Sequence, residues 1–552
     1  MVDDSLAKPP ETSTQNAASS RPITATIIEE SGKLDAAETR SQEPVRWREI
    51  LAVVLLVFVA DLAIYRGRGF AGYAALFGAV PFLLSLAAPR PRVSAVSVIV
   101  GLMLLVLAAK LAWCGHAGLI AAGFALLVAM AMSSIGRVPY VLDTALYALQ
   151  TPVAGGVGLM HYARSADQLP RGGSPRAGWL SFVLPLIALV VFGALFILAN
   201  PELATSFRVT MRLVADAVAD WFRHYSPGWG EVFFWIVAAW LTIGLLRPVV
   251  DGSVLGSQSE EDRDESSAES PLYAAFRNML LTVIALFAVY LVFEFKTLWF
   301  RTFPKGFYYA GYAHEGAAWL SVALALATLS LSLVFRGRVL DDPRLPRLRK
   351  LAWLWSAENL ILALAVYNRL FIYIGFNGMT RMRTVGLFGI TAVVVGFILV
   401  VWKIVHNRTF VWLVQRHLWT LVIALYLLAV TPVDPIIHSY NVRRVIAGDP
   451  APVVQVSVHP ISSEGELVLH PLTHSRDEII REGIRAMLAD RAERLDSVVR
   501  RPQSEGWTSF QLADQVLFKK LQAVKSDWEP YIDREKRQAA LDRFHAYAYQ
   551  WY

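Results

Sequence analysis

The chain has 552 residues, of which 55% are hydrophobic and only 18% charged. Soluble proteins average about 25% charged residues, and here the apolar excess sits in long blocks, which excludes a string of soluble domains and indicates a polytopic membrane protein. Net charge is +7, but Asp434 to Tyr552 holds 16 basic against 17 acidic side chains, so the positive charge lies between apolar blocks, where topology rather than nucleic acid requires it.

Residues 1–45 are rich in Ser, Thr, Pro, Ala and Glu and contain no apolar run. Such a composition cannot bury enough surface to fold, so a disordered tail is expected there rather than a cleaved signal peptide. Eleven blocks then approach the roughly 20 apolar residues that a span needs. They run at 49–65, 70–88, 93–113, 117–135, 178–200, 229–250, 276–298, 314–335, 351–374, 382–405 and 414–432. Trp47, Trp113, Trp179, Trp229, Trp299 and Trp353 sit near block ends, as an interfacial aromatic belt would place them. The expected fold class is therefore an all-α transmembrane bundle, spanning 46–433.

Two stretches are open to more than one reading. Residues 138–163 are broken by Pro139, Pro152 and Gly155–Gly156, and read as a short helix on the membrane surface or a re-entrant piece. Residues 202–224 alternate Arg208, Arg212 and Arg223 with apolar side chains, the pattern of an interfacial amphipathic helix. Either, as a twelfth span, would invert everything after it. With the N-terminus inside, the inner segments hold 20 Lys and Arg against 12 outside. The positive-inside rule favours that orientation, and eleven spans then place the C-terminus outside. The loop at 251–271 contains SQSEEDRDESSAES, with six acidic residues and one Arg, and reads as a solvated, disordered connection.

Residues 434–552 are expected to form a small extramembrane domain. Val453–Val458 and Glu466–Leu469 flank Ser462–Gly465 in the manner of a short hairpin. Three helices follow: one opened by Ser475 and Glu478 as a capping box, one by Thr508 and Gln511, one by Asp533.

An ionisable group inside a span costs at least ~2.5–3.5 kcal/mol on insertion scales and needs a partner, a water cavity or a job. Asp61, Lys110, Glu358 and Arg369 are such groups, with Asn359 and Asn368 beside the last two. Glu358 and Arg369 share a helix face but stand roughly 16 Å apart along the axis. Each therefore needs a partner on another span, with Asp61 and Lys110 available, and Arg369 is expected to join Asp61 or Glu358 in one network. Pairing of this kind is as readily structural as functional. The eighth block opens on Tyr308, Tyr309, Tyr312, His314 and Glu315, which reads as an interfacial aromatic belt or as a proton relay, since His titrates near pH 6.5.

The lone Cys114 excludes an internal disulfide and a cysteine-based zinc site. His470 and His474 straddle Pro471, so they are not expected to be a helical metal pair. No metal site and no cofactor are implied. No phosphate-cradling glycine loop or hydrolase motif is present.

The run PKGFYYAGYAHEGAAWLSVALALATL resembles the signature of a bacterial polytopic membrane family, the domain of unknown function numbered 4173, and its relative numbered 4153. Asn200–Pro201, the run YNRLFIYIGFNGMTRMRTVGL and the post-membrane element Tyr440, Asn441 and Arg444 support the likeness, which covers roughly 180–445. The family's Asp-x-x-Tyr-Leu run after that element is missing, and only Gly506–Trp507–Thr508–Ser509 echoes its later Trp-rich segment. The resemblance implies a bacterial cytoplasmic membrane location, with emphasis on Tyr309, Ala310, Tyr312, Ala313, His314 and Gly316. It implies no reaction. Three functions are open: a non-enzymatic protein of envelope signalling or assembly acting through its C-terminal domain on an envelope partner, a secondary transporter, and a membrane enzyme for a lipid-linked substrate. The lack of an internal repeat lowers the second, and the lack of a second carboxylate beside His314 and Glu315 lowers the third.

Overall fold

The computed structural model describes residues 45–88, 94–168, 227–249, 271–296, 309–335, 342–406 and 408–551, with a few isolated positions between them. Among the described residues the chain is helical and carries no strand. The bundle comprises α1 (Trp47–Ala60), α2 (Phe70–Ala87), α3 (Ala95–Cys114), α4 (Ala117–Ser134), α5 (Val141–Gln168), α6 (Trp229–Leu246), α7 (Tyr273–Glu294), α8 (Tyr309–Val334), α9 (Leu345–Asn377), α10 (Arg381–Val405) and α11 (Phe410–Val430). Eight of these, α2–α4, α6, α7 and α9–α11, are long and apolar enough to cross a membrane. α1 continues without a break into a π-helical turn, Asp61–Tyr65, and the two together coincide with the first apolar block. α8 coincides with the eighth block, while the expected span at 178–200, the 202–224 stretch and the acidic loop lie outside the described residues.

Side chains set where several helices begin. Ser94 accepts a hydrogen bond from the Ser97 amide, Thr380 from Arg383 and Thr409 from Trp412. Each satisfies an N–H that the first turn leaves orphaned. One apolar core gathers α1–α4 with Ile243 and Leu246 of α6. Two others gather α7–α10, the first with Leu413 of α11. Helix α11 joins the halves: Tyr426 Oη donates to Met103 O at 2.9 Å, and Trp419 donates to Pro139 O at 3.2 Å while stacking on Tyr140.

The stretch read as a short surface helix or a re-entrant piece is one helix of 28 residues, α5, with Pro152 inside it, so only the expected shortness is overturned. Tyr147 Oη donates to Leu245 O at 2.5 Å and Tyr162 Oη to Glu49 at 2.5 Å. Both tyrosines thus reach the same end of α6, so α5 lies across that end. Gly155 and Gly244 let the two backbones approach so closely that a Cβ on either would collide with main-chain atoms.

The C-terminal domain is α12 (Val433–Ile446), α13 (Val453–Ser457), α14 (Ser463–Glu466), α15 (Glu478–Glu505), α16 (Leu512–Ala523), α17 (Lys525–Trp528) and α18 (Arg534–Tyr549), with short 3-10 turns between them. It has its own apolar core, built on Ile480, Ile484, Leu488 and Leu495 of α15 and Phe544 of α18. The expected hairpin is absent: its first strand is the helical turn α13, its turn is the helical turn α14, and Leu467–Leu469 is a turn leading into a 3-10 turn. Val453, Val454 and Val456 are all buried, so the run reads as β-branched and continuous although it is a helical turn buried all round. Two caps also differ from expectation. Asp477, not Ser475, caps α15 by accepting from Ile479 and Ile480 N–H. Gln511 precedes α16 without capping it. Asp533 caps α18 as expected, accepting from Lys536 N–H.

Candidate functional site

The polar side chains that the sequence singles out fall into three groups, set by where each helix begins or ends. The first is the junction between the bundle and the C-terminal domain. It is made at three inter-helix loops, 66–69, 115–116 and 378–380, and at α12. Lys110, one turn before the end of α3, places its ammonium 2.7 and 2.6 Å from the two oxygens of Glu464 in α14. Trp113 Nε1 donates to the same carboxylate at 3.0 Å. Beside them, Gln511 accepts from Gly115 N–H at 2.6 Å and donates to Leu111 O at 3.0 Å, and Thr508 accepts from Arg68 N–H at 3.1 Å. The side chains read as caps thus serve the junction.

Helix α12 carries the post-membrane element. Asn441 is fully buried and clamps the loop between α9 and α10, accepting from Met379 N–H at 2.7 Å and donating to Met379 O at 2.9 Å. Gly378 in that loop has φ of +95° and Asn441 Oδ1 where a Cβ would stand, so glycine is required there on both counts. Arg444 donates to Ile374 O and Gly375 O, satisfying carbonyls that the end of α9 leaves open. Tyr440, more exposed, lies under the Arg444 guanidinium.

Arg381 opens α10 and forms a bidentate pair with Asp434 of α12. Burial pushes Asp434 toward neutrality, but Arg381 and the Ser462 amide overcome it and hold the carboxyl down at about 2. His438, one turn on, is buried, and burial pulls its imidazole down to about 4 despite Asp434 nearby.

The second group lies at the ends of α1. At the domain end, Asp61 begins the π-helical turn, a feature that often marks functional positions. Trp235 Nε1 donates to it at 2.9 Å and Arg66 Nε stands 3.0 Å away. Arg66 also holds Glu231 at the start of α6, at 2.7 Å. At the opposite end Glu49 accepts both Arg247 nitrogens, at 2.7 and 2.9 Å. Helices α1 and α6 are therefore pinned at both ends by charge.

The third group is inside the second half of the bundle. Arg369 of α9 is 2% exposed and Glu294 of α7 is 1% exposed. The guanidinium grips the carboxylate with two bonds, one of 2.7 Å from Nε, and Tyr290 Oη joins both partners. The expected partners of Arg369, Asp61 and Glu358, are thus replaced by Glu294. Glu358 stands apart, with Oε2 buried and without a hydrogen-bond partner among the described residues. Asn368 is half-buried beside Arg369. Tyr309, Tyr312, His314 and Glu315 occupy the first turns of α8, but their side chains lie outside the described residues.

Sequence reasoning missed Glu49, Glu231, Glu294, Asp434 and Glu464. The first three stand at helix ends, where a charge reads as a boundary rather than a partner. The signal available was the cation within or beside an apolar block, Lys110 and Arg369 above all, which needs a carboxylate.

The fold and its junction define a polytopic α-helical protein with a helical domain docked on one end of the bundle. Residues 46–457 match the family model described as "Domain of unknown function (DUF4153)", and the chain belongs to that family. The match is to the family numbered 4153, the relative, and not to the one numbered 4173. It covers the bundle, α12 and α13, and leaves residues 458–552 beyond it. No curated protein and no solved structure matches the chain.

Proposed function

We propose that the chain is a multi-pass protein of a bacterial cytoplasmic membrane that works without catalysis in envelope signalling or assembly. In this reading the N-terminus is cytoplasmic and the C-terminal domain faces outward, where it meets an envelope protein. The observation that carries the reading is the junction. Lys110 with Glu464 and Arg381 with Asp434 tie two different parts of the bundle to one small domain, and each carboxylate is buried. Breaking a buried pair costs about 3–5 kcal/mol because a charge is left stranded, so helix position and domain position are coupled. A transport pathway has less support. Among the flagged intramembrane groups, Asp61, Lys110 and Arg369 are all held in ion pairs, and only Glu358 favours that alternative.

The test is complementation of a deletion strain, read as survival under detergent or osmotic stress of the envelope. Lys110→Glu and Glu464→Lys, each present at normal level, are expected to leave the defect. The double exchange, which restores the pair, is expected to repair it. Full complementation by both single variants would sink the reading.

A further inference from the structure

We infer that the C-terminal domain holds a divalent metal ion of the zinc class at His470, His474 and Asp527. These residues come from two elements that share no sequence neighbourhood. His470 and His474 are the first and last residues of a 3-10 turn. Asp527 lies in α17, in the connection between α16 and α18. The tighter turn overrides the argument from Pro471 against a histidine pair. Both imidazoles reach the same carboxylate, with Nε2 of His470 3.3 Å and Nε2 of His474 3.7 Å from Asp527 Oδ2.

Those separations have a chemical meaning. Zinc binds imidazole nitrogen and carboxylate oxygen at about 2.0–2.2 Å in a tetrahedron. Two ligand atoms at that distance from one centre stand roughly 3.4 Å apart by the same geometry. All three donor atoms lie within 4.8 Å of one another, so one ion reaches all three with small side-chain adjustments. A second observation points to a ligand. His470 Nε2 is buried and makes no well-formed hydrogen bond among the described residues; its 3.3 Å approach to Asp527 Oδ2 is a charge contact only, which a bound ion would turn into coordination. An ordinary His–Asp pair would occupy one imidazole, whereas here two converge on one oxygen.

The surroundings fix the donors. Thr473 Oγ1 donates to His470 O at 2.8 Å and to Asp527 Oδ2 at 3.3 Å. Arg485 Nε donates to Thr473 O at 3.0 Å, fastening the turn to α15. Hydrogen bonds of this kind orient first-shell ligands and tune the metal. Two neutral nitrogens and one carboxylate suit zinc, whereas calcium and magnesium take oxygen donors almost throughout. His474 is 61% exposed, so the fourth position opens to solvent and takes a water. The site lies beyond the residues 46–457 matched to the family.

The test uses the full chain in detergent, carrying an affinity tag without histidine and stripped with a chelator. Cobalt(II) is the probe, because its visible absorption reports tetrahedral coordination. One equivalent of Co2+ is expected to bind with intense visible bands, and one equivalent of Zn2+ to displace it. Asp527→Asn and His474→Ala are expected to abolish the bands, while His459→Ala, at a histidine of the same domain outside the cluster, keeps them. His474 is mostly exposed, so its loss leaves the domain folded, and an unchanged protease-resistant fragment verifies this. Substoichiometric binding by the unaltered chain, or Asp527→Asn binding as the unaltered chain does, overturns the site.

Discussion

Arg369 and Glu294 show what a buried charge demands. Both are almost wholly enclosed, and Tyr290 closes the network. The sequence announces Arg369, because a guanidinium in mid-block must have a partner. It does not announce Glu294, which sits at the end of its helix. Arg369→Ala is therefore expected to lower the level of folded protein sharply, by the equivalent of about 3–5 kcal/mol. Exchanging the charges at 294 and 369 together restores the pair and is expected to recover most of the loss. Membrane-fraction immunoblots of the two single variants and the double variant decide this. No recovery for the double variant would mean that the enclosed geometry, not the pairing of charges, is what the site requires. The same logic explains Asp61, Lys110, Glu49 and Glu231. Each is a charge at or near a helix end; Lys110, Glu49 and Glu231 find partners in elements remote in sequence, whereas Asp61 pairs with Arg66 just beyond its own turn.

Hydropathy located the helices of the bundle well, because bilayer thickness dictates a long apolar run and little else resembles one. The loop-rich start of the C-terminal domain was less legible. Val453–Val458 carries β-branched residues on every side and reads as a strand, yet tertiary burial makes a helical turn of it. Thr508 and Gln511 have the spacing of a capping box, but both are spent on the bundle. Helix α12 is the element on which the junction turns, and His438 makes it sensitive to acid. With the imidazole pulled down to about 4 by burial, the folded chain stays unprotonated where an unfolded histidine, near 6.5, takes a proton. Stability of the junction is then full above pH 6.5 and falls as pH drops from about 6.5 to about 4. Asp434, held at about 2, keeps its ion pair with Arg381 through that window, and its contribution to stability is lost only between about 3.8 and about 2. Protection of the α12 amides, measured against their intrinsic exchange rate at each pH, is expected to fall between pH 7 and 4.5, and His438→Gln to flatten that dependence. An identical acid response in the variant would assign it to another group.

For the whole molecule the contacts define two ends. Glu49 with Arg247, and Tyr273 beneath Arg344, mark the end away from the domain. Glu231 with Arg66, Lys110 with Glu464, and Met379 with Asn441 mark the end that carries it. Helix α1 starts at the first end and finishes at the second, and α9–α11 alternate between them. With the expected span at 178–200 counted, the alternation closes at eleven crossings. On the proposed reading the N-terminal segment and the docked domain lie on opposite sides, with the N-terminal side cytoplasmic by the balance of basic residues. The proposed function depends most on that orientation. It is tested by fusing a reporter active only in the cytoplasm, and separately one active only outside, to each terminus of the full chain. The account predicts cytoplasmic signal at the N-terminus and external signal at the C-terminus. Both termini reporting from the cytoplasm would contradict it and would return the docked domain to cytoplasmic partners; both reporting from outside would contradict the placement of the N-terminus.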